Sequence, residues 1–144
     1  MPGSVGTVRI AFGTDDATDV TAGLVAHLRA AGHVVDEVVP GAEWPEVGRA
    51  VAEAVAGGRA ERGIACCFTG TGVSIAANKV PGVRAALCTD AATAVGARRW
   101  NDANVLALGL RLTTATVAGE IADAFLATAP DPSEAWAVAR LPGG

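Results

Sequence analysis

A cysteine at the mouth of a glycine-rich turn is the first place in this chain where residue types and spacing could do chemistry. The stretch reads Arg62-Gly63-Ile64-Ala65-Cys66-Cys67-Phe68-Thr69-Gly70-Thr71-Gly72-Val73-Ser74-Ile75-Ala76-Ala77-Asn78-Lys79. The apolar run Ile64 to Phe68 has strand length, turn formers follow at once, and a helix is expected from near Gly72. Such a turn lies at the carboxyl end of a strand, where α/β sheets bind ligands. The exposed N–H groups of Gly70, Thr71 and Gly72, with the positive end of the helix, favour negative charge there. Cys67 stands where strand meets turn, and a thiol so placed can be poised as a thiolate. The plainer reading is a small apolar residue on a buried strand. Adjacent strand residues face opposite sides, so the pattern alone leaves open whether Cys66 or Cys67 points to the turn.

Two familiar phosphate motifs are excluded. A dinucleotide fingerprint needs a glycine three residues after Gly72, and that residue is Ile75. A Walker loop needs Gly-Lys-Ser/Thr, whereas Lys79 lies between Asn78 and Val80.

The elements that must position this turn follow from the rest of the chain. Met1 to Gly6 reads as a loose leader and Thr7 to Gly13 as the first strand. A helix follows over about Ala17 to Ala31, then a strand over His33 to Val39. Pro40 to Pro45 reads as a loop and Glu46 to Ala56 as a helix. Beyond the central stretch come a strand (Val83 to Cys88), a helix (Asp90 to Arg99), a strand (Asn104 to Leu108) and a helix (about Thr114 to Thr128). A Pro- and Gly-rich tail follows from Pro130. Strands alternating with helices predict an α/β fold: a Rossmann-like three-layer sandwich with a five-stranded parallel sheet. One domain is expected over 1–144, with a tail from about 129.

With 144 residues, 51% of them apolar, the chain can bury a real core. Its net charge of 11 − 15 = −4 argues against nucleic acid. No apolar run approaches the roughly 18–20 residues of a membrane span, and no signal peptide is expected. Three cysteines, two of them adjacent, argue against a disulfide framework and for a reducing cytoplasm. With only His27 and His33 and no CxxC, neither a metal site nor another cofactor is expected.

The central stretch also resembles the ribose-5-phosphate isomerase B and galactose-6-phosphate isomerase family. That family reads roughly Arg-Gly-Ile, two apolar residues, then Cys-Gly-Thr-Gly-x-Gly-x-Ser-Ile-Ala-Ala-Asn-Lys. The likeness continues through Val80-Pro81-Gly82-Val83-Arg84-Ala85-Ala86-Leu87-Cys88 and Asn101-Asp102-Ala103-Asn104-Val105-Leu106-Ala107-Leu108-Gly109, and spans about Val8 to Leu126. It implies aldose–ketose isomerisation, in which one base moves a proton between neighbouring carbons of an enediol. It makes Cys67 that base, Thr69 a residue that helps open the sugar ring, Asp15 a holder of sugar hydroxyls, and Asn101 a neighbour of the carbonyl. The Gly-rich turn would stabilise the oxyanion, and Arg111 would lie near the phosphate end. It also implies a homodimer or homotetramer with the site at the subunit interface. The plainer readings are that Asp15 or Asp16 caps the first helix, that Asn101 supports its loop, and that Arg111 is solvated.

Four departures fall on that site. Asp16 replaces a phosphate-binding histidine, Trp100 replaces the ring-opening histidine, and Phe68 replaces a glycine. The tail Ser133-Glu134-Ala135-Trp136-Ala137-Val138-Ala139-Arg140 has Arg140 as its only base. Trp44, Trp100 and Trp136 all match site positions or their neighbours, and with Phe68 suggest a pocket remade for a flatter ligand. The expected activity is therefore isomerisation or a related proton transfer by Cys67 on a small, unphosphorylated carbonyl or sugar-like substrate. Two alternatives stand beside it: a genuine ribose-5-phosphate isomerase, and a non-catalytic binding or partner subunit.

Overall fold

Alternation of side chains along five short strands decides how the layers form. In the computed structural model, which describes residues 6–143, Ile10 and Phe12, Ile64 and Cys66, and Leu106 and Leu108 point to one face of the sheet. Ala11, Ala65 and Cys67, and Val105 and Ala107 point to the other. The elements run β1 (Arg9–Thr14), α1 (Asp19–Ala30), β2 (Val34–Glu37), α2 (Trp44–Ala56), β3 (Arg62–Cys67), α3 (Thr71–Asn78), β4 (Ala85–Leu87), α4 (Ala91–Asn101), β5 (Val105–Gly109) and α5 (Ala115–Ala127). A 3-10 turn (Pro132–Glu134) and a one-turn helix α6 (Ala135–Val138) follow.

The sheet order is β2-β1-β3-β5-β4 and every pairing is parallel, as the α/β pattern predicts. The larger side chains face α1, α4 and α5 and pack with Leu24, Leu28, Ile121 and Phe125. The smaller ones face α2 and α3 and let Val47, Val51 and Val73 come close. β3 is central and buried from Gly63 onward, so its unbroken apolar run is what a strand covered on both faces requires.

Most boundary differences have local causes. α1 starts at Asp19, because Thr18 caps it in a reciprocal pair with Thr21. Neither Asp15 nor Asp16 is therefore its cap. α2 starts at Trp44, inside the expected loop, because Pro45 in the first turn has the right φ and no N–H to satisfy. α4 runs on to Asn101 and stops at Asp102, whose φ of 47° is left-handed, so Asn101 ends a helix and supports no loop. The edge strands β2 and β4 are shorter than expected. Residues 1–5 of the expected leader lie outside the described residues. No helix among the described residues is long and apolar enough to cross a membrane.

Candidate active site

β1 and β3 are neighbours in the sheet, yet the chain passes from β1 to β2 on one side before crossing to β3 on the other. Their carboxyl ends therefore flank a topological switch point, where an open α/β sheet leaves a crevice. Thr14 pairs with Cys66 across it, and the Asp15 N–H donates to the Cys66 carbonyl at 3.4 Å. This puts Asp15 and Asp16 beside the end of β3, where Cys67 begins the turn.

The turn is fixed by backbone. The Cys67 and Phe68 carbonyls accept from the N–H groups of Leu110 (2.9 Å) and Arg111 (2.8 Å), so the start of the turn is tied to the segment after β5. Thr69 and Thr71 share a hydroxyl hydrogen bond of 2.7 Å. Gly70 precedes α3 at φ 78°, and a Cβ there would sit 2.5 Å from Leu87 Cδ1 and 2.9 Å from the Gly109 nitrogen. Only glycine satisfies both demands. A Cβ on Gly72 would sit 2.8 Å from the Trp44 ring, so Trp44 lies across the first turn of α3. Trp44 stays 42% exposed, and Phe68 is 63% exposed at the lip of the turn.

Charge at this end is mostly negative on the β1 side. The Asp15 carboxyl is raised above its ordinary value, first by burial and then by the charge of Asp16, with Glu43 adding to it. Asp15 Oδ1 is the one buried side-chain oxygen or nitrogen among the described residues without a hydrogen-bond partner. It borders a cleft of about 150 Å³ whose walls include Thr14, Glu37 and Pro40. A carboxylate with a sheltered open acceptor can take a hydroxyl from a polyol ligand. Glu43 escaped the sequence reading; its only signal was a place just before Trp44-Pro45. Arg111 stands exposed on the far side of the turn.

The two adjacent cysteines part company. Cys66 packs in the α1/α4/α5 core, where burial pushes its thiol well up. Cys67 packs on the α2/α3 side at the end of the strand and is 4% exposed.

The model for ribose and galactose isomerases matches residues 10–138. The chain belongs to the ribose/galactose isomerase family. It is 42% identical over 123 residues to ribose-5-phosphate isomerase B of Escherichia coli, covering 82% of this chain and 83% of that one. It is 38% identical over 130 residues to the galactose-6-phosphate isomerase subunit LacB of Clostridium acetobutylicum, covering 87% and 75%. Among solved structures, ribose-5-phosphate isomerase B of Clostridium thermocellum superposes with a TM-score of 0.86 at 37% identity, over 92% of this chain and 93% of that one. Family members are isomerases, and this one is isomerase-like in fold and in sequence.

Within one chain of this isomerase-family fold, the expected site residues form two groups. Asp15, Asp16, Trp44, Cys67, Phe68, Thr69, Gly70, Thr71, Gly72 and Arg111 gather at the carboxyl end of the sheet. Trp100, Asn101 and Trp136 do not. α4 returns from β4 to the parallel β5, so it ends at the opposite edge, and Asn101 lines a cavity there with Ala85 and Ala103. β5 alone spans about 16 Å, far beyond the reach of an asparagine side chain. The single aromatic pocket expected from three tryptophans and Phe68 is not present within one subunit. Trp100 lies back on Gly96 one turn earlier in α4 and is 56% exposed, and Trp136 on α6 is 64% exposed. The tail is held at this edge by the Asp131 N–H on the Arg99 carbonyl (2.8 Å) and by Arg98 Nε on the Thr128 carbonyl (3.0 Å).

Proposed function

We propose that this protein is a homodimeric or homotetrameric isomerase that moves a proton on a small, unphosphorylated carbonyl or sugar-like substrate, with Cys67 as the acid/base. The open, sheltered Asp15 Oδ1 carries this reading: it supplies a hydroxyl acceptor beside the Cys67 turn, in a setting hostile to phosphate. Asp16 and Glu43 both load negative charge onto that side. Two opposed unit charges 4 Å apart differ from two like ones by about 8 kcal/mol at an effective dielectric near 20. A phosphate dianion is thus disfavoured where a polyol is welcome.

In the proposed reaction the Cys67 thiolate takes the proton beside the carbonyl and returns it to the neighbouring carbon. Backbone N–H groups of Gly70, Thr71 and Gly72 stabilise the enediolate. Thr69 serves ring opening. Phe68 and Trp44 line the apolar side, and Asp16 and Arg111 close the two ends. Asn101, Trp100 and Trp136 act on the partner's carboxyl-end groove, and the tail from about 129 belongs to the same domain and donates to that half. Such sharing explains why large aromatics stand exposed on a single chain. All three cysteines are free thiols, consistent with a reducing cytoplasm.

A second reading, isomerisation of ribose 5-phosphate itself, is favoured by the Escherichia coli relative and by Arg111. Ketose formation by the purified protein from ribose 5-phosphate and from unphosphorylated aldoses, with Cys67→Ala as control, separates the two. Turnover of the unphosphorylated aldoses alone, abolished by the substitution, is expected. Robust Cys67-dependent turnover of ribose 5-phosphate would overturn the unphosphorylated reading.

A further inference from the structure

Thr69 and Thr71 are both exposed, and their hydroxyl oxygens lie 2.7 Å apart. Gly70 stands between them at φ 78°. Residues two apart on a regular helix do not face each other. The left-handed residue at the start of α3 is what turns these two side chains together.

The Thr69 backbone has no room to move. The carbonyls of the two residues before it are tied to Leu110 and Arg111. A Cβ on Gly109 would lie 2.6 Å from the Thr69 carbonyl oxygen and 2.8 Å from its carbon, so the Thr69 main chain lies directly against the end of β5. What stays free is the χ1 rotation of Thr69, with three staggered wells that aim its hydroxyl in three directions. The hydrogen bond to Thr71 selects one of them.

The Thr71 hydroxyl has no capping task in the fold. Thr18, Asp90 and Thr114 cap α1, α4 and α5 by accepting from the N–H three residues on. α3 has Gly70 as its cap and no side-chain capping bond, and its first residue, Thr71, turns its hydroxyl back to Thr69. A hydroxyl that accepts one hydrogen bond becomes a stronger donor of the next.

We infer that Thr71 is a positioning residue for Thr69: it donates to Thr69 Oγ1, holds the Thr69 hydroxyl in one direction, and strengthens it as a donor to the ring oxygen of a cyclic hemiacetal. The inference rests on the proposed isomerase reading, in which Thr69 serves ring opening, and it narrows the substrate to aldoses that bind as closed rings. Opening breaks the bond between C1 and the ring oxygen. The ring oxygen gains a proton and the anomeric hydroxyl loses one. Solvent water at these exposed hydroxyls supplies the first and takes the second, so the threonine pair ends as it began.

Thr71→Val keeps the shape of the side chain and removes its hydroxyl, and Thr71→Ser keeps the hydroxyl. Turnover is compared on an unphosphorylated aldopentose, which closes a ring, and on glyceraldehyde, which is too short to close one. In Thr71→Val, kcat for the pentose is expected to fall about tenfold further than kcat for glyceraldehyde, and Thr71→Ser should recover most of that difference. Equal losses on the two substrates, or no recovery with serine, overturn the inference. Three-bond couplings to the Thr69 methyl carbon read its rotamer directly by NMR. A single rotamer is expected in the parent and in Thr71→Ser, and averaging among wells in Thr71→Val. A Thr69 rotamer unchanged by Thr71→Val overturns the inference whatever the kinetics. If the parent turns over neither aldose, the isomerase reading fails and the ring-opening part fails with it, while the rotamer still decides whether Thr71 orients Thr69.

Discussion

At the carboxyl end of β3 the chain leaves the strand through small residues held by main chain. Gly70 fits only where its Cβ is missing, and the Cys67 and Phe68 carbonyls are tied to the segment after β5. At the amino end of β5 the surface is made by side chains: exposed Trp100 and Trp136, Arg98 donating to three acceptors (the Thr128 and Ala103 carbonyls and Asp102 Oδ1), and Asn101 at the end of a helix. The first region carries acid on its β1 side, and in the second Arg84 and Arg98 share the carboxylate of Asp102. A backbone-built site constrains the residue types along it tightly, since a changed side chain breaks the turn itself. A side-chain-built surface can exchange His for Trp and keep its fold. The departures from the family pattern fit that contrast, because Trp100 and Trp136 sit on the second region and Phe68 is 63% exposed at the lip of the turn.

The sharpest break in the comparison is to disable each region separately. Cys67→Ala should lower turnover of the active substrate by about 10²–10⁴-fold with the far-UV circular dichroism unchanged. Asn101→Ala should also impair turnover, and mixing the two variants after dissociation should restore about a quarter of the parent activity, since about half of the dimers formed are mixed and each of these carries one intact site of two. Failure to complement would place both residues outside a shared site.

The backbone character of the first region is tested by Gly70→Ala. A Cβ at φ 78° and 2.5 Å from Leu87 should cost about 1–3 kcal/mol, a fall in Tm of roughly 3–10 °C for a chain of this size. Gly143→Ala, also at positive φ but with no neighbour closer than 3.8 Å, should cost less.

A smaller effect concerns charge at the Asp15 side. Asp16→His should raise affinity for ribose 5-phosphate about tenfold, measured by competition at fixed ionic strength. An unchanged affinity would show that Asp16 does not set the preference against phosphate.

The smallest concerns the pH dependence of stability. The Asp15 carboxyl is raised in the fold, so folding favours its protonated form. That contribution is complete below the unfolded carboxylate value near 4 and is lost as pH rises through the raised folded value. Asp15→Asn should therefore raise Tm at pH 7 by about 1–3 °C, and the gain should vanish as the pH approaches about 4. A gain that persists at low pH would assign it to packing instead.

Much of the fold was legible because its signals are local. Apolar runs of strand length and their alternation with helices gave a five-stranded parallel sheet, and Ile64 to Cys67 was read as its central strand. The boundaries that moved did so for equally local reasons that were outweighed: Thr18, paired with Thr21, displaced the earlier aspartates as cap, and Pro45 opened a helix where a loop was expected. The turn from Thr69 to Gly72 was legible for the same reason. Glu43 was not, since nothing in its neighbours along the chain announces that it lies near Asp15.

The sequence by itself determined the order of elements, the family and the chemistry-bearing types, because hydrophobic period, turn residues and motif spacing act over a few positions. Only the tertiary structure decided that Cys66 faces one core and Cys67 the other, that Asp15 keeps an open acceptor, and that Trp100 and Asn101 stand a full strand length from Cys67. Those facts depend on the sheet order and on the return of α4 to the opposite edge, and distances across a sheet are set by long-range pairing that no short stretch of sequence records.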